Sequence, residues 1–283
     1  MFSGLTVGAI YGLIGLGFAV IYNASKVINF AQGEFVMIGG MATVFLIGAG
    51  VPMALAIVIA VAGASVVGFV LEKYAIEPGQ GGTVVSLIII TIGASIFLRG
   101  LAQVVWDRNF HSLPSFSGDE PIHILGATLM PQSLWIFGAL IFIVVALRYF
   151  FNRTRTGKAM LATSFNPLAA QLVGINISRV LQLSFVLAAG LGAIAGVLVA
   201  PIALTYASVG VMLGLKGFSA SIVGGLGNPL GAIAGGLIVG IAEALTAGYI
   251  SSAYKDAVAF ILILLVLIFL PNGLFGRSEV DKV

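Results

Sequence analysis

Six polar or charged residues stand where an otherwise apolar chain has least use for them. Asn29, Gln32 and Glu34 fall in the run VINFAQGEF, Lys216 and Ser219 in GVMLGLKGFSASIVGGLGNPLG, and Glu243 in the middle of GGLIVGIAEALTAGY. A carboxylate at bilayer depth costs at least about 2.5 kcal/mol on insertion scales, so Glu243 needs a partner or water. Lys216 and Glu34 are the candidate partners. Such groups either line a solute path or join helices through buried hydrogen bonds. They do not make or break bonds: both histidines, His111 and His123, sit in one loop, and no Ser lies in a nucleophile elbow. The two histidines have no Cys neighbours and only sparse carboxylates, which argues against a metal site. No catalytic residue, metal ligand or cofactor site is expected in this chain.

Gly33 can bend the backbone of the first run, and a Gly-Gly-x-Gly-Asn-Pro turn interrupts the second, so each reads as a broken helix. Unwound backbone is tolerated at membrane depth only where protein buries it or a wet cavity solvates it. Paired interruptions of this kind point to a transport path. Both also lie near loops assigned below to the cytoplasm, and the competing reading has their polar residues capping helices at the interface.

The elements that must position these residues are membrane helices. Of 283 residues, 60% are hydrophobic and 8% charged, with a mean hydropathy of +1.16; soluble domains carry roughly 25% charge. The expected fold is an all-α, multi-span bundle of eight or nine helices forming one transmembrane domain over 1–283. Apolar runs fall near 4–22, 27–49, 51–71, 83–105, 133–151, 180–200, 229–249 and 257–270, with 210–226 ambiguous between a crossing and a re-entrant dip. The N-terminal run lacks a basic leader and reads as a retained helix. The net charge of +3 is explained by loop topology, and nucleic-acid binding is not expected.

Five of the 13 basic residues, Arg148, Arg153, Arg155, Lys158 and Arg179, cluster without an acidic residue between them, which marks that loop as cytoplasmic. Counting from it places the N-terminus outside. With 210–226 as a crossing there are nine spans, and Arg277 and Lys282 lie inside with the C-terminus. Lys26 and Lys73 also fall inside, whereas Arg99, Arg108 and Lys255 fall outside. The longest outer loop is then 99–132, which also carries Asp107, Asp119 and Glu120.

Small residues recur every four positions at Gly4, Gly8 and Gly12, at Ala56, Ala60, Ala64 and Gly68, at Ala188, Gly192, Gly196 and Ala200, and at Gly227, Gly231 and Gly235. Residues so spaced share a helix face and let backbones approach closely in lipid. The cytoplasmic loop, at about 152–179, carries a helix with both ends written: Asn166 as N-cap, Pro167 first, and Gly174 after a predicted end at Val173. Leu168 and Leu172 form an apolar ridge on it, with Ala169 and Ala170 alongside. Two turns are not stable alone in water, so the helix either packs on its own bundle or docks a partner.

VINFAQGEF, GKAMLATSFNPLAAQLVGIN, VGGLGNPLGAIAGG and YKDAVAFILILLVLIFLPNGLFGR, in that order, resemble the H-type permeases of branched-chain amino acid ABC importers, within a wider family that also serves urea, short amides and other amino acids. The resemblance implies a bacterial inner-membrane permease paired with a second, similar permease, two cytosolic ATPases and a periplasmic solute-binding protein. It makes Asn166, Pro167, Leu168, Ala169, Leu172 and Gly174 the coupling segment that meets the ATPase. Mg-ATP would bind those partners, because Gly157-Lys158 is followed by Ala159 and no segment here matches a phosphate-binding loop. An ion-driven secondary carrier and a passive channel are the alternatives from other classes.

Overall fold

The computed structural model describes residues 2–118, 120–124 and 127–276. Glycine faces decide its packing. On α1 (Phe2–Ser25), Gly4, Gly8 and Gly12 lie against Gly240, Gly236 and Ile233 of α11 (Pro229–Tyr249), so closely that a Cβ at Gly4 would stand 2.8 Å from the Gly240 carbonyl oxygen. These helices run antiparallel with backbones in contact. On α9 (Ile177–Val199), Gly192 and Gly196 receive α2 (Gln32–Gly48). The alanine stripe of α3 (Met53–Leu71) is buried, and Gly68 meets Phe185 and Ala189 of α9. On α10 (Val209–Gly224), Gly224 and Ala220 meet Gly231 and Gly235 of α11. Gly227, the first residue of that predicted stripe, lies instead in the turn between them at φ +88°.

Helix α1 is the axis, with 89% of its most apolar stretch buried. Its Leu13, Ile14 and Leu16 pack with Val36, Ile136 and Leu191 in the largest core cluster. The rim comprises α3, extended through a π-helical turn (Glu72–Ile76) and α4 (Glu77–Gly79), then α5 (Val84–Val105), α6 (Pro131–Arg153) and α12 (Lys255–Phe269). Their apolar stretches are at most 22% buried, and the segment Ser252–Phe269 only 6%. Apolar side chains left outside in this way suit contact with lipid or neighbouring helices.

Among the described residues, seven helices are long and apolar enough to cross a bilayer, and two apolar helices, α2 and α10, are shorter at 17 and 16 residues. At ~1.5 Å per residue these two span about 25 Å, less than the ~30 Å hydrocarbon thickness. Each is preceded by non-helical chain, 26–31 and 200–208. The ends alternate between two faces. His111 and Thr205 exchange backbone hydrogen bonds of 2.8 Å on one face. On the other, Asn23 donates to the Gly227 carbonyl, Leu274 and Phe275 donate to Val223 and Gly224, and Ser178 donates to Glu77. The chain leading into α10 is thus tied to the first face at Thr205, α10 begins beside Gly33, and its end is tied to the second face.

Several expectations are corrected in detail. The second span begins as a helix at Gln32, not residue 27. Gly33 does not bend the chain: it is helical and touches Gly210 and Gly214 of α10. Lys216, Ser219 and Ser221 lie in an unbroken helix, and the glycine turn separates α10 from α11. Arg99 belongs to α5, so the outer loop starts later, at Trp106; it contains a small hairpin, β1 (Ile122–Ile124) with β2 (Ala127–Leu129). The predicted inner positions of Arg277 and Lys282, and Asp119 of the outer loop, fall outside the described residues.

Candidate functional site

The start of α2 lies deep in the bundle. Gln32 is fully buried and donates Nε2 to the Ala188 carbonyl at 2.9 Å, halfway along α9, while Gly17 in the body of α1 leaves room for its amide. In the non-helical chain ahead of it, Val27, Asn29 and Ala31 are buried, the last two at most 1% exposed. Asn29 Oδ1 accepts from the Ala31 N–H at 3.1 Å, and Thr91 Oγ1 on α5 accepts from the Phe30 N–H at 3.2 Å. Side chains thus take up backbone groups that no helix turn can satisfy, which permits irregular chain at that depth.

Glu34, in the first turn of α2, is 1% exposed. Its Oε1 accepts the Ser95 hydroxyl at 2.7 Å, and its buried Oε2 accepts no hydrogen bond among the described residues. Glu34 lines a cavity of about 210 Å³ together with Phe18, Phe30, Ser95, Arg99, Gly210 and Phe218. The rings of Phe18 and Phe30 stand 5.6 and 5.8 Å from that of Phe218. Gly210 and Gly214 contribute bare backbone to the α10 wall, beside Val211 and Leu215.

Lys216 and Glu243 belong to a separate assembly. Lys216 Nζ is 2.9 Å from Glu243 Oε1 and donates to Asp256 Oδ1 at 2.6 Å and to the Tyr11 hydroxyl at 3.1 Å. Tyr11 in turn donates to Glu243 Oε2 at 2.8 Å. Four helices, α1, α10, α11 and α12, are joined by one ammonium. Of the two candidate partners for Glu243 the structure selects Lys216, not Glu34. None of these side chains lines the cavity, and Ser219 spends its hydroxyl on the Leu215 carbonyl of its own helix at 2.9 Å.

Ser95, Arg99, Tyr11 and Asp256 were not among the sequence candidates. A signal for the first two was available: Thr91, Ser95 and Arg99 are spaced by four along an apolar run and share one face of α5. Tyr11 and Asp256 carry no such local mark.

On the second face, α7 (Arg155–Phe165) and α8 (Pro167–Leu172) form a projection. Helix α7 was not anticipated; Thr154 caps it, accepting from the Gly157 N–H at 2.9 Å, and Gly157 lets it press onto Phe150 at the end of α6. Helix α8 ends at Leu172, one residue before its predicted end. Asn166 Oδ1 accepts from the Ala169 N–H at 3.0 Å, and Gly174 takes φ +87° while donating to the Gln171 carbonyl. Ala170 is buried, but Leu168 and Leu172 are 74% and 89% exposed, beside exposed Arg153, Arg155, Lys158 and Arg179.

On the first face the loop that follows α5 is tied down. His111 pairs with Asp107 at 2.8 Å and sets its ring edge-on to Phe45. The hydrogen bond from His111 holds the Asp107 carboxyl below its usual range. Among the described residues no group of three or more His, Cys, Asp or Glu could hold a metal.

A family described as "Branched-chain amino acid transport system / permease component" matches residues 1–267. The chain is 37% identical to the high-affinity branched-chain amino acid transport system permease protein LivH of Escherichia coli K12, covering 100% of this chain and 96% of that protein. It is 34% identical to BraD of Pseudomonas aeruginosa, a permease protein of the same description, over 99% of this chain and 96% of that one. The solved structure of PsaBC from Streptococcus pneumoniae in complex with Fab shares the fold, with a TM-score of 0.53 at 13% identity over 95% of this chain and 91% of that one. The family match over residues 1–267, from the first helix into the last, makes this chain a member of the branched-chain amino acid transport system permease family.

Proposed function

We propose that this protein is the membrane-spanning subunit of an ATP-driven importer that carries branched-chain amino acids across the bacterial inner membrane, with ATP hydrolysed by separate subunits. The observation that carries the coupling is the α7–α8 projection. Its capped terminal helix turns Leu168 and Leu172 outward, uncovered by the rest of the chain, and exposed Arg153, Arg155, Lys158 and Arg179 flank it in sequence. An apolar ridge with a charged rim suits a partner protein. Helix α7, rooted on α6, transmits force from that partner into the bundle as a rigid-body displacement.

In this reading the projection faces the cytoplasm, the N-terminus lies outside and the C-terminal tail inside. A second permease covers part of the rim, two ATPases engage the projections of the pair, and a solute-binding protein delivers cargo to the outer loop. Glu34 serves the path, with Asn29 and Gln32 holding its wall. Lys216, Glu243 and Ser219 act as structural supports, since they bond to protein and lie off the cavity.

Coexpression with ATPase subunits tests it. The wild-type chain should copurify with them and support ATP-dependent leucine uptake in proteoliposomes containing the solute-binding protein. Leu168→Asp with Leu172→Asp should lose both while the spans stay folded. Rapid leucine flux through the isolated chain, with no ATPase present, would refute the proposal.

A further inference from the structure

The polar face of α5 passes the start of α2 one residue at a time. Thr91 accepts the Phe30 N–H, Ser95 donates to Glu34 Oε1, and Arg99, one turn further along, lines the same cavity as Glu34. None of the ion pairs among the described residues uses Arg99. The cavity therefore offers a carboxylate oxygen with no hydrogen-bond donor and a guanidinium that is near enough to act on Glu34 electrostatically but makes no direct ion pair, and the aromatic surfaces of Phe18, Phe30 and Phe218 line the same space.

A buried acceptor left without a hydrogen bond is costly, and more so when it is charged. An ammonium group would satisfy Glu34 Oε2 without disturbing the bond from Ser95 to Oε1. Guanidinium is the side chain best matched to a carboxylate, which it grips with two parallel N–H groups. Apolar rings beside these groups leave the rest of the solute a greasy wall. A small molecule bearing one ammonium, one carboxylate and one hydrocarbon branch meets all three demands together.

Resting on the amino-acid permease reading above, we propose that this cavity binds the travelling solute as a zwitterion, its ammonium on Glu34, its carboxylate on Arg99 and its aliphatic side chain against Phe30 and Phe218. Both ends of the amino acid are read inside the membrane, in addition to any selection by a delivering protein. Amines without a carboxylate and acids without an ammonium each forfeit one anchor. Urea and simple amides, which carry neither charge, forfeit both.

The chain has no cysteine, so Val211→Cys places a single reporter thiol on the cavity wall. In the assembled importer, alkylation of this thiol is followed by mass spectrometry of this chain with leucine, isoamylamine or 4-methylpentanoate as protectant. Leucine should protect at concentrations at least tenfold lower than either half-molecule. Arg99→Gln should erase the advantage of leucine over isoamylamine and keep its advantage over 4-methylpentanoate; Gly63→Ala, which lies off the cavity, should preserve the whole ranking.

Equal protection by leucine and its halves would overturn the proposal, as would absence of protection or a ranking indifferent to Arg99→Gln. A variant that unfolded would be evident from loss of the complex, and Arg99→Lys, which keeps the charge, then supplies the comparison: it should keep leucine ahead of isoamylamine, and loss of that lead would count against the site. Leucine uptake by the same preparation separates the two levels. Uptake without protection defeats the zwitterion site alone, whereas no ATP-dependent uptake of any branched-chain amino acid defeats the permease reading.

Discussion

Lys216 and Glu243 face each other across the α10–α11 interface at 2.9 Å, and each also bonds the Tyr11 hydroxyl of α1. A charge pair withdrawn from water is weak evidence of net stability, yet removing one partner strands the other. Lys216, Glu243, Tyr11 and Asp256 are therefore bound to one another and not to the cavity.

Lys216→Met should accordingly destabilise the bundle by about 3–5 kcal/mol, because Glu243 and Asp256 lose their shared cation. Adding Glu243→Gln should recover part of that loss. Thermal unfolding of the single and double variants in detergent measures the coupling, and strictly additive losses would show that the pair acts independently. Glu243→Gln alone should stay folded and retain transport.

Gly33 meets Gly210 backbone to backbone, where an added Cβ at residue 33 would stand 2.8 Å from the Gly210 carbonyl carbon. Gly33→Ala should push α2 away from α10 at a cost of about 1–3 kcal/mol, the usual range for overpacking. Gly63→Ala, which meets nothing within 4 Å, is the control and should be neutral. Unfolding midpoints in lipid nanodiscs would distinguish them.

Asn228 caps α11 by accepting from the Leu230 and Gly231 N–H groups at 3.1 Å, and its Nδ2 donates to the Phe275 carbonyl at 2.9 Å. Asn228→Ala should cost ~1 kcal/mol for the cap and also free the chain around Phe275. Limited proteolysis should then cut near residue 275 sooner than in the wild type.

Asp107 titrates at the outer loop. Its folded carboxyl lies below the usual value because of the His111 hydrogen bond, so its stabilising contribution is complete above the unfolded value of about 3.9 and disappears as pH falls through the lower, folded one. Amide exchange at His111 and Thr205 should accelerate in that acid range. His111→Ala should exchange faster at neutral pH and lose the acid step.

What the sequence disclosed depended on whether a signal was local. The glycine faces of α1 and α9, Gly231 and Gly235 of α11 and the caps of α8 are written within a few residues and emerge in the structure; the interruption expected within 27–35 emerges too, but ahead of Gln32 and not at Gly33. The role of Gly33 was misread because a glycine that bends a chain and one that admits a neighbouring backbone look alike until the neighbour, Gly210, is placed. Lys216 could be matched with Glu243 only as one of two choices. Asp256 and Tyr11 reach that pair from helices whose register no local pattern reveals. The cavity was half legible: Glu34 stood out, whereas Arg99 was assigned to the outer loop although it falls within the apolar run 83–105 and on the polar face of α5 with Thr91 and Ser95.

The central position of α1 bears on how the molecule is made. The surface that receives Gly4, Gly8 and Gly12 belongs to α11, whose residues leave the ribosome more than two hundred positions later. Until then the most deeply enclosed helix of the finished protein waits in the bilayer or beside the insertion machinery with its glycine face unmated. A nascent chain stalled before Pro229 should therefore remain open to membrane proteases and quality-control factors, and maturation should proceed as one late closure, not helix by helix.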